Sequence, residues 1–249
     1  MKSLEGRTAV VTGAAQGIGY AIAEKLIAEK ISGIAILDWN ADAIQSAAVK
    51  LSESAPDIKI IPVQCDISDA DAVVKAFTDI ESSLGGIDIL VNNAGIARDI
   101  MFHKMNYMQW DSVVKVNLYG TYNCCKAVMQ GMRDRNYGRI VNLSSVVAYG
   151  NAGQVNYSAT KGAIISMTKT LAKEGARKNI TVNAIAPDCI DTPMMRSVPA
   201  DFLQDLLNRH PMQRLGRPEE VASLVAFLTN EECSYVSGAV IDCSGANRT

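Results

Sequence analysis

Short β-branched runs alternate with longer segments of helical periodicity along this entire chain, and that order constrains the fold more than any other feature. Residues 8–12, 34–38, 58–64, 88–92, 139–145, 181–185 and 239–242 read as strands. Residues 17–29, 41–54, 70–84, 107–133 and 155–177 read as helices, with shorter ones around 200–208 and 219–228. Strict alternation implies parallel pairing through right-handed crossovers, so the expected fold is α/β, a doubly wound sheet of seven mainly parallel strands with helices on both faces. At 249 residues the chain can bury most of its apolar surface as one unit. No Pro/Gly-rich linker or compositional break divides it, so residues 1–249 read as a single domain.

Charge and cysteine content remove several function classes. The 24 basic and 26 acidic residues leave a net charge of -2 without runs of like sign, which disfavours a nucleic-acid partner. The sequence shows neither a secretory signal nor a membrane span, and the expected location is cytoplasmic. Six cysteines lack C-x-x-C spacing and the two histidines are His103 and His210, so no metal site is expected. Adjacent Cys124 and Cys125, in an apolar helical stretch, read as small packing residues rather than a redox pair.

Directly after the first strand stands Thr12-Gly13-Ala14-Ala15-Gln16-Gly17-Ile18-Gly19, opening a helix. Glycines there let backbone N–H groups approach a pyrophosphate at the positive end of the helix. Asp38 ends the second strand, 19 positions after Gly19. At that place a carboxylate accepts hydrogen bonds from ribose hydroxyls and repels a 2'-phosphate, and neither Gln16 nor Trp39 offers compensating positive charge, so NAD(H) is expected over NADP(H). Asp66, after the third strand, stands either against the adenine or as the N-cap of the helix beginning near Asp69; the residues leave both readings open. Asn92-Asn93-Ala94-Gly95 closes the fourth strand with groups small enough for a close backbone approach to ligand.

Tyr157 and Lys161 are four apart, hence on one helical face. A phenol titrates near 10; a neighbouring ammonium favours its ionised form and makes proton exchange with an alcohol or carbonyl oxygen feasible. Ser144 and Ser145 end the fifth strand, at the carboxyl edge where ligands collect in open α/β sheets; one is suited to hold a substrate oxygen and the other to satisfy backbone groups. No histidine or acid is spaced to make either a triad nucleophile.

With TGAAQGIG, NNAG, VKVNLYGTYN, NLSS and YSATK in this order, the chain resembles the short-chain dehydrogenases/reductases over essentially its full length, and within them the 3-oxoacyl-acyl-carrier-protein reductases. The resemblance implies a Rossmann-type fold, hydride transfer between a nicotinamide cofactor and a ketone or secondary alcohol, and a catalytic set of Asn117, Ser145, Tyr157 and Lys161. In that set Ser145 orients the carbonyl, Tyr157 exchanges the proton, Lys161 holds the nicotinamide ribose and lowers the tyrosine's pKa, and Asn117 supports a water relay. It extends the cofactor contacts to Gly13, Gln16, Gly17, Ile18, Gly19, Asp38, Asp66, Ile67, Asn93, Ala94, Gly95, Pro187, Ile190 and Thr192, besides Tyr157 and Lys161. It also implies a homotetramer, with the 107–133 stretch and the chain's end as interfaces. Such reductases usually prefer NADPH and carry a basic residue where this chain has Gln16.

The match is imperfect in informative places. The loop between Ser145 and Tyr157 is one residue short, which disfavours Ser144 as the catalytic serine. Pro187-Asp188 replaces the usual Pro-Gly, so Asp188 is expected to touch cofactor or substrate, and Ser244-Gly245-Ala246 replaces a glycine pair. Residues 193–215, rich in Met and Leu, are suited to fold over an apolar substrate as a lid. Arg133, Arg135, Arg139, Arg177 and Lys178 are candidates for a docking patch for an acidic acyl carrier protein, although such charges more often are merely solvated. Other readings are a dehydrogenase of a polyol, hydroxysteroid or small secondary alcohol, and a dinucleotide sensor; the complete Tyr-Lys set disfavours the sensor.

Overall fold

The computed structural model describes residues 3–196 and 198–247. Met1, Lys2, Ser197, Arg248 and Thr249, which the expected domain and lid include, lie outside the described residues. The chain runs β1 (Thr8–Thr12), α1 (Gly17–Ala28), β2 (Gly33–Asp38), α2 (Ala41–Ser54), β3 (Lys59–Gln64), α3 (Ala70–Leu84) and β4 (Ile89–Asn92). It continues with α4 (Tyr107–Val113), α5 (Gly120–Arg135), β5 (Gly138–Leu143), α6 (Val155–Gly175), β6 (Ile180–Pro187), α7 (Pro193–Arg196), α8 (Ala200–Arg209), α9 (Pro218–Thr229) and β7 (Val240–Cys243). The seven strands form one sheet in the order β3-β2-β1-β4-β5-β6-β7, and every pairing is parallel.

Buried strands feed two cores because successive side chains point to opposite faces of the sheet. Ala9 and Val11 of β1, with Ile34 and Ile36 of β2, pack under α1, α2 and α9 against Ile22, Leu26, Leu51 and Val225. Val10, Ala35 and Leu90 face the other way, onto Phe77 and Ile80 of α3 and Val128 and Met132 of α5. Two helix starts are fixed by short polar side chains: Asn40 accepts from Ala43 N at 3.0 Å, and Asp69 accepts from Asp71 N and Ala72 N at 3.0 and 3.1 Å.

The sheet order reverses direction at β1, because the chain builds outward to β3 and then returns to place β4 on β1's other side. A crevice opens there at the carboxyl ends of the strands. The expected 107–133 helix is interrupted: α4 passes into a wider π turn, Val114–Tyr119, before α5 resumes. β5 stops at Leu143, so Ser144 and Ser145 stand just beyond the strand. Among the described residues no helix is long and apolar enough to cross a membrane.

Candidate active site

A cleft of about 1480 Å³ runs along the carboxyl ends of β1, β4, β5 and β6. At one end lies the glycine loop. Gly13 and Gly17 have φ of 64° and 58°, in the left-handed region that favours glycine. Gly19 is required by crowding: a Cβ there would lie 2.2 Å from Gly13 O and 2.6 Å from Asn93 Nδ2. Asn93 Nδ2 donates to Thr12 O and Gly13 O at 2.9 and 3.0 Å, and Thr12 Oγ1 accepts from Asn93 N and Ala94 N at 3.1 Å each. The Asn-Ala-Gly turn after β4 is thereby sewn to the loop. No side chain caps α1 and its first turn holds no acid, leaving the positive end of the helix available to an anion.

Asp38, at the tip of β2, accepts from Asn40 N at 3.1 Å and Ala15 N at 3.4 Å. Asn40 caps the following helix, so Asp38 is not needed for that task. Asp69 likewise caps α3, and Asp66 instead accepts from Ser68 N and Oγ at 2.9 and 2.8 Å; the N-cap reading of Asp66 is thereby corrected. Asp38, Asp66, Ile67, Ala94, Gly95, Pro187, Ile190 and Thr192 line the cleft, as do Gly13, Gln16, Gly17, Ile18 and Asn93. Trp39, 73% exposed, lines the same end.

At the other end Tyr157 and Lys161 face the cleft from α6, with Lys161 Nζ 5.4 Å from the centre of the tyrosine ring. Lys161 is 3% exposed and donates to Leu143 O at 2.6 Å. Among the described residues no hydrogen bond from protein to the phenol is formed. Burial pushes Tyr157 up to about 12, with Asp99 adding to the effect, and burial pushes Lys161 down to about 8. In the protein alone the phenol is therefore shifted upward, with exclusion of water as the first cause.

Ser144 Oγ donates to Lys161 O at 2.9 Å and ties the strand tip to α6. Ser145 lies on the cleft wall, accepting from Val147 N at 3.2 Å and donating to Pro187 O at 3.4 Å. The long second bond leaves its hydroxyl readily exchanged for another acceptor. Asn117 sits in the π turn, fully buried. It accepts from Ile96 N at 2.8 Å and donates to Ile96 O and Thr160 Oγ1 at 3.0 and 3.3 Å, clamping the turn after β4 to α6.

Asp188 lines the cleft, yet its carboxylate is taken up by protein: Asn247 Nδ2 at 2.6 Å, Cys189 Sγ at 3.3 Å and His210 Nε2 at 3.4 Å. No spacing in the sequence announces partners this distant. The basic patch does not form a docking face beside the site. Arg139 is 1% exposed, Arg135 donates to Ile87 O, and Arg133, Arg139, Arg177 and Lys178 lie around the starts of β5 and β6, at the opposite edge of the sheet. Burial raises the pKa of Cys124 and Cys125, in keeping with packing. Among the described residues no group of three or more His, Cys, Asp or Glu could hold a metal ion.

Residues 13–245 match the profile of the family described as enoyl-(acyl carrier protein) reductase. The chain is 43% identical to an acetoacetyl-CoA reductase of Shinella zoogloeoides, over 96% of this chain and 97% of that one. It is 42% identical to a 3-oxoacyl-[acyl-carrier-protein] reductase of Aquifex aeolicus, over 97% of each. Among solved structures, levodione reductase superposes with a TM-score of 0.93 at 30% identity, covering 97% of both chains. A 3-oxoacyl-[acyl-carrier protein] reductase from Brucella melitensis gives 0.90 at 38% identity, covering 98% of this chain and 92% of that one. This chain belongs to the short-chain dehydrogenase/reductase family. It is an oxidoreductase.

Proposed function

We propose that the enzyme reduces 3-oxoacyl thioesters to 3-hydroxyacyl thioesters with NADH. The observation that carries this reading is the placement of Tyr157 and Lys161 at one end of a cleft whose other end holds the glycine loop and Asp38. The names of the acetoacetyl-CoA and 3-oxoacyl relatives support the substrate class. The start of α1, which no side chain caps and whose first turn holds no acid, fits a pyrophosphate, and the carboxylate of Asp38 fits a ribose with free hydroxyls. A nicotinamide dinucleotide bound there contributes hydride exchange at the carbonyl carbon. Gly13, Gln16, Gly17, Ile18 and Gly19 would hold the phosphates, Asp66 and Ile67 the adenine end, and Asn93, Ala94, Gly95, Pro187, Ile190 and Thr192 the nicotinamide half.

In the reductive direction the Ser145 hydroxyl donates to the substrate carbonyl oxygen. Tyr157 gives that oxygen its proton; with the phenol held near 12 by burial, it is fully protonated at neutral pH and ready to donate. The Lys161 ammonium would hold the ribose hydroxyls of a bound dinucleotide and, once the proton has left, stabilises the phenolate beside it. Asn117 fixes the floor between Lys161 and Gly95 and supports the water through which the proton returns. We place the enzyme in the cytoplasm, in keeping with six free cysteines. We take it as a homotetramer, in keeping with exposed Tyr107, Met108, Tyr119 and Tyr122 on α4, the π turn and α5.

A steady-state screen tests the reading, with acetoacetyl-CoA, levodione, steroid ketones and sugars each offered NADH and NADPH. We expect acetoacetyl-CoA to be preferred and NADH to exceed NADPH in kcat/KM by at least about tenfold, with Asp38→Ala narrowing that ratio. A wild type favouring NADPH contradicts the role of Asp38. Preference for levodione or another small ketone replaces the thioester by the alternative substrate class.

A further inference from the structure

The substrate side of the cleft is walled by the segment between β6 and α9, which contributes Met195, Val198, Leu203 and Leu206. The base of this segment is closed. Ile190 and Gly216 form a parallel bridge, Asp191 N donates to Gly216 O at 2.8 Å and Gly216 N to Cys189 O at 2.9 Å. A loop fixed at its base alone would leave α8 free to swing, so the position of its apolar wall needs a second tether.

One carboxylate supplies it. Oδ2 of Asp188 accepts from Asn247 Nδ2 at 2.6 Å and lies 3.4 Å from His210 Nε2, while Oδ1 receives Cys189 Sγ at 3.3 Å. His210 is the C-cap of α8 and 6% exposed. Its Nδ1 accepts from Met212 N at 3.3 Å, which assigns the ring proton to Nε2, toward Asp188. The imidazole packs on Gly245: a Cβ there would lie 2.6 Å from His210 Cε1, at a φ of 55°. The tip of β6, the end of α8 and the chain beyond β7 thus converge on Asp188.

We propose that Asp188 is a positioning residue for the substrate: through His210 and Asn247 it pins the end of α8, and with it the wall of Val198, Leu203 and Leu206, over the cleft. The inference rests on reading the cleft as the site of a carbonyl reductase. Removing the carboxylate leaves the His210 N–H and the Asn247 amide without their acceptor. Asparagine at 188 keeps an oxygen in that place.

The test compares wild type, Asp188→Ala, His210→Ala, the double variant and Asp188→Asn by hydrogen exchange of α8 in ligand-free protein. It adds steady-state kinetics with acetoacetyl-CoA and fluorescence titration with NADH. We expect each alanine variant to speed α8 exchange by about tenfold or more and to raise KM about 5–20-fold, with kcat within about threefold and NADH affinity within about twofold. The double variant should match the single ones, and Asp188→Asn should recover most of the loss. Unchanged α8 exchange, additive effects of the two alanines, or lost NADH affinity at unchanged KM would each overturn the proposal. If Asp188→Ala does not fold, His210→Ala against Asp188→Asn carries the same comparison. Exchange is read without substrate, so a wild type inert toward acetoacetyl-CoA contradicts the thioester reading alone.

Discussion

Lys161 shows what the site demands of single residues. Its folded pKa, about 8, lies below its ordinary 10.5, so the unfolded chain holds the proton more firmly. The group therefore costs stability below about pH 8, and that cost is relieved as pH rises from about 8 toward 10.5. The cost at neutral pH is about 3 kcal/mol. Tyr157, raised from 10 to about 12, lowers stability as pH rises above about 10 and so opposes the lysine's gain only at the top of this window. Lys161→Met should raise the unfolding free energy at pH 7 by about 1–3 kcal/mol, flatten the stability gain between about pH 8 and 10, and abolish turnover. Urea denaturation at pH 7 and 9 checks this; a variant less stable than wild type at pH 7 contradicts the burial argument. At this scale the sequence was legible where a residue type has one local use. Tyr157 and Lys161 share a face by spacing alone, and Asp38 ends a strand. The direction of the phenol's shift was not legible, because exclusion of water is a property of the packed cleft. Nor was Asp188 with His210 and Asn247, since 59 positions separate the carboxylate from its amide.

At the scale of elements, the strand-loop-helix unit at the start of the chain carries the phosphate end of the cleft through backbone packing. Gly19→Ala would place a methyl group 2.2 Å from Gly13 O, a backbone atom that Asn93 already holds. The expected result is an NADH affinity lowered about tenfold or more and a stability loss of about 1–3 kcal/mol, read by fluorescence titration and thermal unfolding. Binding and melting like wild type would show that the loop yields more easily than its hydrogen bonds imply. Strands and most helices could be placed to within a few residues, because period and β-branched content report burial directly. The π turn at Val114–Tyr119 could not. Its apolar spacing passes for ordinary helix, and within the wider turn Asn117 reaches Ile96 and Thr160 at once.

For the whole molecule, sheet order decides where chemistry can gather. Because β4 returns to β1's free side, the tips of β1, β4, β5 and β6 share one edge, and Gly13, Asn93, Ser145 and Pro187 meet there although they come from four separate parts of the chain. The same geometry carries the arginines around β5 to the far edge, away from the cleft. The central claim is that Tyr157 supplies the proton in a cleft that binds the dinucleotide independently of it. Tyr157→Phe, assayed with NADH and acetoacetyl-CoA beside an NADH fluorescence titration, tests it most directly. The account predicts cofactor affinity within about twofold of wild type and turnover lowered about 10³-fold or more; turnover within a few-fold of wild type would contradict it.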